Sequence, residues 1–254
     1  MNLYSKTRAW QYQGAVLPVI AALYLFFLIF LPQSASAQST YTWSGGATGD
    51  WQVAANWTPA RTTTATNDIL LFSNTTATVT NVPDETVGEL QVTNNSTIAL
   101  QTTGATLTVG AANGLTIQDA CVLTLSGGNP LVIQLSGNNS SLNGSSQLVF
   151  ANASAVQVTG VLKLNGASLI DFEHGSAVLD IAHDAELQIN STEATINFDV
   201  TSSVVFGAAT AIGQQPSTLR FADAAALSLT GAGNGTLSFG YYYNSGLSMS
   251  VQPR

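Results

Sequence analysis

Between Leu90 and Phe239 the chain repeats one small pattern: two apolar side chains separated by a single residue, then a turn rich in Gly, Asn, Ser or Thr. Leu107-x-Val109, Leu115-x-Ile117, Leu123-x-Leu125, Leu187-x-Ile189, Ile196-x-Phe198, Leu219-x-Phe221, Leu227-x-Leu229 and Leu237-x-Phe239 all belong to it. Alternation with period two marks a strand with one buried face. Strands this short, recurring about every eight to ten residues, can bury that face only by stacking on equivalent strands. The pattern predicts an all-β chain folded as a parallel β-helix, or β-solenoid, with two or three strands and roughly twenty to thirty residues in each coil.

The turns supply the conformations such a stack needs. Gly104, Gly127-Gly128, Asn143-Gly144, Asn165-Gly166 and Asn234-Gly235 adopt positive φ at little cost. An Asn-Gly pair also initiates tight hairpins, which keeps an antiparallel arrangement open at this point. The sameness of the strand units and the lack of long polar crossovers favour the helical stack. The sequence allows one short helix, at 208–215, bracketed by Gly213 and Pro216.

The beginning of the chain reads differently. Lys6 and Arg8 precede an apolar run over 14–31, and Ala35-Ser36-Ala37 before Gln38 has the small-x-small form of a cleavage site. Residues 1–37 are therefore expected to be a secretory signal, which places the mature protein outside the cell or on its surface. The run approaches the roughly twenty residues that cross a bilayer, so an uncleaved anchor is the competing reading. Nothing after Ala37 is apolar for long enough to span a membrane.

Residues 38–68 carry three of the four tryptophans, Trp43, Trp51 and Trp57, among glycines. The end of a solenoid exposes core side chains and strand edges, so its terminal unit is atypical and capping. A Trp/Gly-rich N-terminal cap over 38–68, followed by a solenoid over 69–254, is the expected division. Stacking on a sugar ring is the alternative use of such rings, and Trp51 is the candidate. Asp50, Asn56 and Asp68 offer oxygen ligands in the same region, one to a loop. The single cysteine, Cys121, permits no intrachain disulfide and reads as a buried core thiol.

Without the leader the basic residues are Arg61, Lys163, Arg220 and Arg254, against 14 acidic ones, four minus fourteen, or −10. Nucleic acid and anionic lipid are poor partners for such a surface. Acidic residues thicken at Asp171, Glu173, Asp180, Asp184 and Glu186, with His174 and His183 between them. Paired carboxylates at the right separation act as acid and base on a glycosidic bond, which makes Asp171, Glu173 and Asp180 the catalytic candidates. Asp171 and Glu173, two apart on one strand face, are also the metal candidates, with calcium the cation that suits oxygen ligands. The bland reading is a solvated face. Lys163 reads as a surface residue. Outward Thr and Asn, as in Thr106-x-Thr108, Thr116, Thr124 and Ser228, are expected to align in columns, with Thr106 and Thr108 as candidate ligand-binding residues. Asn-x-Ser/Thr triplets such as Asn74-Thr75-Thr76, Asn95-Ser96-Thr97 and Asn190-Ser191-Thr192 follow from composition alone.

The opening Trp43-x-Gly45-Gly46, Trp51 and Asn56-Trp57, running into strands of Thr-x-Val type, resembles the start of the parallel β-helical regions of large bacterial surface and autotransporter-like proteins, including those of gliding-group bacteria. The resemblance covers the mature chain, with only the tryptophan–glycine opening specific. It implies an adhesin, matrix component or stalk, while some relatives of the fold cleave polysaccharides. The expected function is a secreted, non-catalytic solenoid that serves adhesion, carbohydrate binding or structure, with polysaccharides or cell-surface components as partners. End-to-end contact through an uncapped C-terminal coil, with Tyr241-Tyr242-Tyr243 part of it, is a further expectation. A polysaccharide lyase or hydrolase is the rival; four basic residues are few for binding a polyanion. A fragment of a larger surface protein is the third reading.

Overall fold

The structure, a computed structural model, describes residues 38–110, 113–208, 214–240 and 246–251. The expected leader, most of the 208–215 segment and the three tyrosines lie outside the described residues. The chain divides into units 1–37 and 38–254, and the second holds every described residue.

This second unit is a three-sided parallel β-helix of eight turns, since its second face is an eight-stranded sheet with one strand from each turn. The first face runs through Thr40–Trp43, Ile69–Ser73, Glu89–Thr93, Leu115–Ile117, Ser140–Leu142, Val161–Leu164, Glu186–Ile189 and Thr218–Phe221. The second takes Thr48–Asp50, Thr76–Val82, Thr97–Thr102, Val122–Ser126, Gln147–Phe150, Leu169–Phe172, Ala194–Phe198 and Leu227–Thr230. The third takes Glu85–Val87, Ala105–Val109, Leu131–Leu135, Ala155–Val158, Val178–Ile181, Ser203–Phe206 and Gly235–Gly240. Every pairing between these turns is parallel. Among the described strands, antiparallel pairs occur only at the two ends, Thr42 and Trp43 with Thr58 and Trp57, and Gly235–Gly240 with Gly246–Val251. The hairpin alternative is thus confined to the termini of the stack.

Equivalents on neighbouring turns lie 20 to 26 positions apart through the middle of the stack and 29 to 30 apart between the first two turns. The last turn is longer, at 31 to 33, and the hydrogen bond from Ser217 N to Gly207 O closes off its extra loop. Parallel sheets are usually covered on both sides and read as continuous apolar runs. Here each sheet is covered on its inner side only, by the other two, so the strands alternate as the sequence does. Inward columns such as Leu90, Leu115, Leu162 and Leu187, or Ile98, Leu123, Leu148, Ile170 and Ile196, are fully buried. Each such side chain contributes about 1.5–3 kcal/mol.

Aromatic residues stack along the axis. Phe150, Phe172 and Phe198 hold equivalent positions on the second face, with ring centroids 4.7 and 5.3 Å apart and nearly parallel planes. Cys121 is buried in a column of small residues whose members on adjacent turns are Ser96 and Ser146, as a core thiol should be. At the N-terminal end Trp43, Trp51 and Trp57 close over Phe72, with Trp57 edge-to-face against Trp43 and Trp51 at 5.1 and 5.3 Å. Thr40–Trp43 and Thr48–Asp50 are also rungs, paired in register with the following turn. The aromatic cap is therefore built on a first turn that already belongs to the sheets.

Candidate functional site

A solenoid places equivalent residues of successive turns one above another, about 4.8 Å apart, so its polar chemistry comes in columns. Three carboxylates act as clamps between turns. Asp84 Oδ1 accepts the Thr106 N–H at 2.7 Å, Asp119 Oδ1 accepts the Ser145 N–H at 2.7 Å, and Asp184 Oδ1 accepts the Gln215 N–H at 2.6 Å. Hydrogen bonds from the Ser145 backbone and hydroxyl hold the Asp119 carboxyl below the usual range, and the Gln215 N–H, helped by His183, does the same for Asp184. Gly144, at φ +62°, faces the Asp119 carboxylate so closely that any side chain there would collide with it.

Just after the first face, Asn143, Asn165 and Asn190 form an asparagine ladder. The Asn190 amide donates to Asn165 Oδ1 at 2.9 Å, and the Asn165 amide donates to Asn143 Oδ1 at 2.8 Å. By sequence alone these residues belong to turns and sequons. The signal that finds them is their spacing of 22 and 25, one coil each.

A largely buried charged cluster joins Arg61 with Asp68 and Glu85. The guanidinium donates to Asp68 Oδ2 from Nε at 3.0 Å and to both oxygens of Glu85, one of which also accepts the Trp51 indole N–H at 2.7 Å. Tyr41 lies under the guanidinium at 5.7 Å. Burial works to lower the Arg61 pKa, yet the Glu85 and Asp68 bonds carry it above its ordinary value. The cluster ties the loop after Trp57 to the starts of strands on the first and third faces, beside an open cleft of about 270 Å³ lined by Trp51, Thr62, Thr64 and Pro83. Sequence reasoning missed it because the three charges meet only through the loop's return.

The residues singled out in the sequence do not converge. Trp51 is 2% exposed and locked in the cap, so it presents no flat face to a sugar. Asp68 is spent on Arg61 and the Ala65 N–H, Asp50 on Gln52 and Asn81, and Asn56 on the Asp50 carbonyl. Asp171 lies outward on the second face, whereas its strand ends at Phe172 and leaves Glu173 on the corner. Asp180 lies outward on the third face. The expected single-face pair of Asp171 and Glu173 is therefore replaced by carboxylates distributed around a corner.

Burial pushes the Asp171 carboxyl up, the Asn197 amide at 2.8 Å offsets part of this, and Asp199 adds to it; burial alone raises Asp180. His183 is paired with Asp184 at 3.0 Å, and His174 Nδ1 accepts the Ser176 N–H. No group of three metal-ligating side chains occurs among the described residues. Nor is any described helix long and apolar enough to cross a membrane. Lys163 donates to Asn139 on the exposed side of the first face.

The expected alignment of threonines is corrected too. Thr116 stands on the first face, Thr124 and Ser228 on the second, and Thr106 and Thr108 on the third. Different columns form. On the third face the Thr108 hydroxyl donates to Gln134 Oε1 at 3.3 Å, Gln134 Nε2 donates to Gln157 Oε1 at 3.1 Å, and Asp180 holds the next rung. Beside them run Thr106, Val132, Ala155 and Val178. On the second face Thr230 donates to Asn197, which donates to Asp171. Comparison with protein-family models, curated proteins and solved structures finds no match.

Proposed function

We propose that this chain is a non-catalytic β-solenoid module of the bacterial cell exterior, exported through residues 1–37, that serves structure or adhesion and offers its third face to a polysaccharide or a cell-surface component. The observation that carries the reading is where the polar groups are spent. Asp84, Asp119, Asp184 and the three ladder asparagines are committed to bonds between turns, and Arg61, Asp68 and Glu85 to the cap. Such a chain builds a stiff stack. The half-exposed column of Thr108, Gln134, Gln157 and Asp180, next to Val132, Ala155 and Val178, faces outward in regular array and is longer than the second-face run of Thr230, Asn197 and Asp171. Amides beside a small apolar floor suit hydroxyl-rich, uncharged chains, and the shortage of cations argues against polyanions.

The tryptophan–glycine opening supports placing the chain with bacterial surface and autotransporter-like solenoids. End-to-end contact belongs to the same reading, since Leu219, Leu227 and Leu229 of the last turn are only partly covered and Phe221 is 46% exposed.

The test is a binding screen of the purified protein against immobilised neutral and acidic polysaccharides, with and without calcium, that follows release of reducing ends and unsaturated products in the same wells. Binding to neutral chains without product, weakened by Gln134→Ala and Gln157→Ala, is the expected result. Calcium-dependent product release, lost on replacing Asp171, Glu173 or Asp180, would overturn it in favour of a polysaccharide-active enzyme.

A further inference from the structure

The chain contains four Asn-Gly pairs, at 113–114, 143–144, 165–166 and 234–235. In such a pair the backbone nitrogen of the glycine, which no side chain shields, attacks the asparagine Cγ. A bond forms between that nitrogen and Cγ, the Cγ–Nδ2 bond breaks, and ammonia leaves. Water then opens the resulting succinimide at one of its two carbonyls, giving aspartate or isoaspartate with no change of oxidation state. The reaction requires that the side chain swing over its own main chain and that the glycine nitrogen be free to move.

The four sites differ most in the first respect. Asn165 is held at both ends of its amide, by Asn143 and Asn190, and Asn143 is held by Asn165 and by its own bond to Ser141 at 3.0 Å. Asn234 is exposed and makes no side-chain hydrogen bond among the described residues. Its glycine, however, opens the strand Gly235–Gly240 and lies against the Phe198 ring, where an added Cβ would come within 2.2 Å. Asn113 is exposed, precedes the strand Leu115–Ile117, and among the described residues its side chain is tethered by one bond, from Nδ2 to Glu89 Oε1 at 3.1 Å, although Gly114 itself is buried at φ +52° and its carbonyl accepts the Leu90 N–H.

We propose that Asn113–Gly114 is a site of spontaneous deamidation in the folded protein, and that the asparagine ladder protects the pairs at 143 and 165. The modification acts on the stack itself. Glu89 is 7% exposed, and its other oxygen already accepts the Gln91 amide at 2.6 Å. Converting Asn113 replaces the donor opposite Glu89 with a second carboxylate, and like charges on neighbouring rungs repel. Isoaspartate also routes the main chain through Cβ, adding a backbone atom immediately before the rung Leu115–Ile117, which pairs with Leu90 and Val92. A slow, irreversible negative charge thus enters the first face and loosens it.

The experiment is a time course of the full-length chain in mildly alkaline buffer, mapped by peptide mass spectrometry for amide-to-acid conversion and by isoaspartate-specific methyl transfer. The Asn113 peptide should convert first. Those with Asn143 and Asn165 should lag by at least about tenfold, since ladder hydrogen bonds must break before attack. In denaturant the four rates should converge, and Asn190→Ala, with its fold checked by circular dichroism, should speed Asn165 specifically. Equal rates at 113, 143 and 165 in the folded protein, or a lag that persists in denaturant, would overturn the proposal.

Discussion

Replacing Phe172 with alanine tests the central claim that the turns are coupled through axial stacking. The ring is fully buried between Phe150 and Phe198, with interplanar angles of 20° and 7°. Truncating a buried Phe costs about 3–5 kcal/mol. Each lost aromatic pair adds about 0.5–1.5 kcal/mol beyond its area. A cost near the top of the first range, about 5 kcal/mol, is therefore expected, and it falls on the interfaces on either side of the sixth turn. Stability in a solenoid is a sum of such nearest-neighbour terms, so the loss should divide the molecule rather than lower it uniformly.

Two probes separate these outcomes. Emission from Trp43, Trp51 and Trp57 reports the first turn, and far-ultraviolet circular dichroism reports the whole stack. In urea the Phe172→Ala variant should lose dichroism at lower concentration while the tryptophan transition stays near that of the parent. Coincident transitions in the variant, displaced by less than about 1.5 kcal/mol, would refute the reasoning; a cost that small is typical of a minor core trim.

Arg61→Met should destabilise the cap by about 3–5 kcal/mol, because it strands Asp68 and Glu85 as buried carboxylates, and should shift tryptophan emission to the red. Asn165→Ala removes two ladder bonds at about 1 kcal/mol each, so its urea midpoint should fall further than that of Asn190→Ala, which removes one. The Asp119 and Asp184 carboxyls have folded pKa values below their unfolded ones. Their stabilisation is thus complete above the ordinary carboxylate range and is lost as pH falls through the depressed folded values. Asp171 and Asp180 are raised and act in the opposite sense, gaining stability as pH falls from their folded toward their unfolded values. Denaturation curves of Asp119→Asn across the acidic range should show a shallower acid loss than the parent. Asp171→Asn keeps an acceptor for Asn197 and removes a charge that burial disfavours, so it should raise stability slightly at neutral pH and leave any ligand binding intact.

The rungs were legible because one physical constraint governs them: an inward side chain must alternate with an outward one, and Leu-x-Leu records that directly. The capping role of the tryptophans and the buried state of Cys121 were legible for the same reason, as statements about what a stack must cover. The polar architecture was not, because it depends on the coil period. Asn143 and Asn165 look like ordinary turn residues until it is known that 22 positions make one turn. Glu173 was paired with Asp171 by counting two along a strand that in fact stops at Phe172. Thr116 and Thr124 were grouped by type, although eight residues carry the chain around a corner to another face.

The same dependence decides where function can reside. Side chains at corners are drawn into bonds along the axis, since a turn leaves backbone N–H groups unpaired and the neighbouring turn offers an acceptor within reach; Asp84, Asp119 and Asp184 are three instances at different corners. A corner residue bonded in this way is committed to the fold, however reactive its type. Mid-strand outward residues meet no such demand, because the sheet already satisfies their backbone. On the third face Thr108 orients Gln134 and Gln134 orients Gln157, so the column is set in one direction and ends at Asp180, which has no hydrogen-bond partner among the described residues. On the function proposed above, that is where a ligand would find polar groups aligned, and substitutions there should change binding. Asp180→Asn should do so while leaving the neutral-pH unfolding transition near that of the parent, whereas Gln134→Ala, which removes two inter-turn bonds, should also lower the urea midpoint about as far as Asn165→Ala.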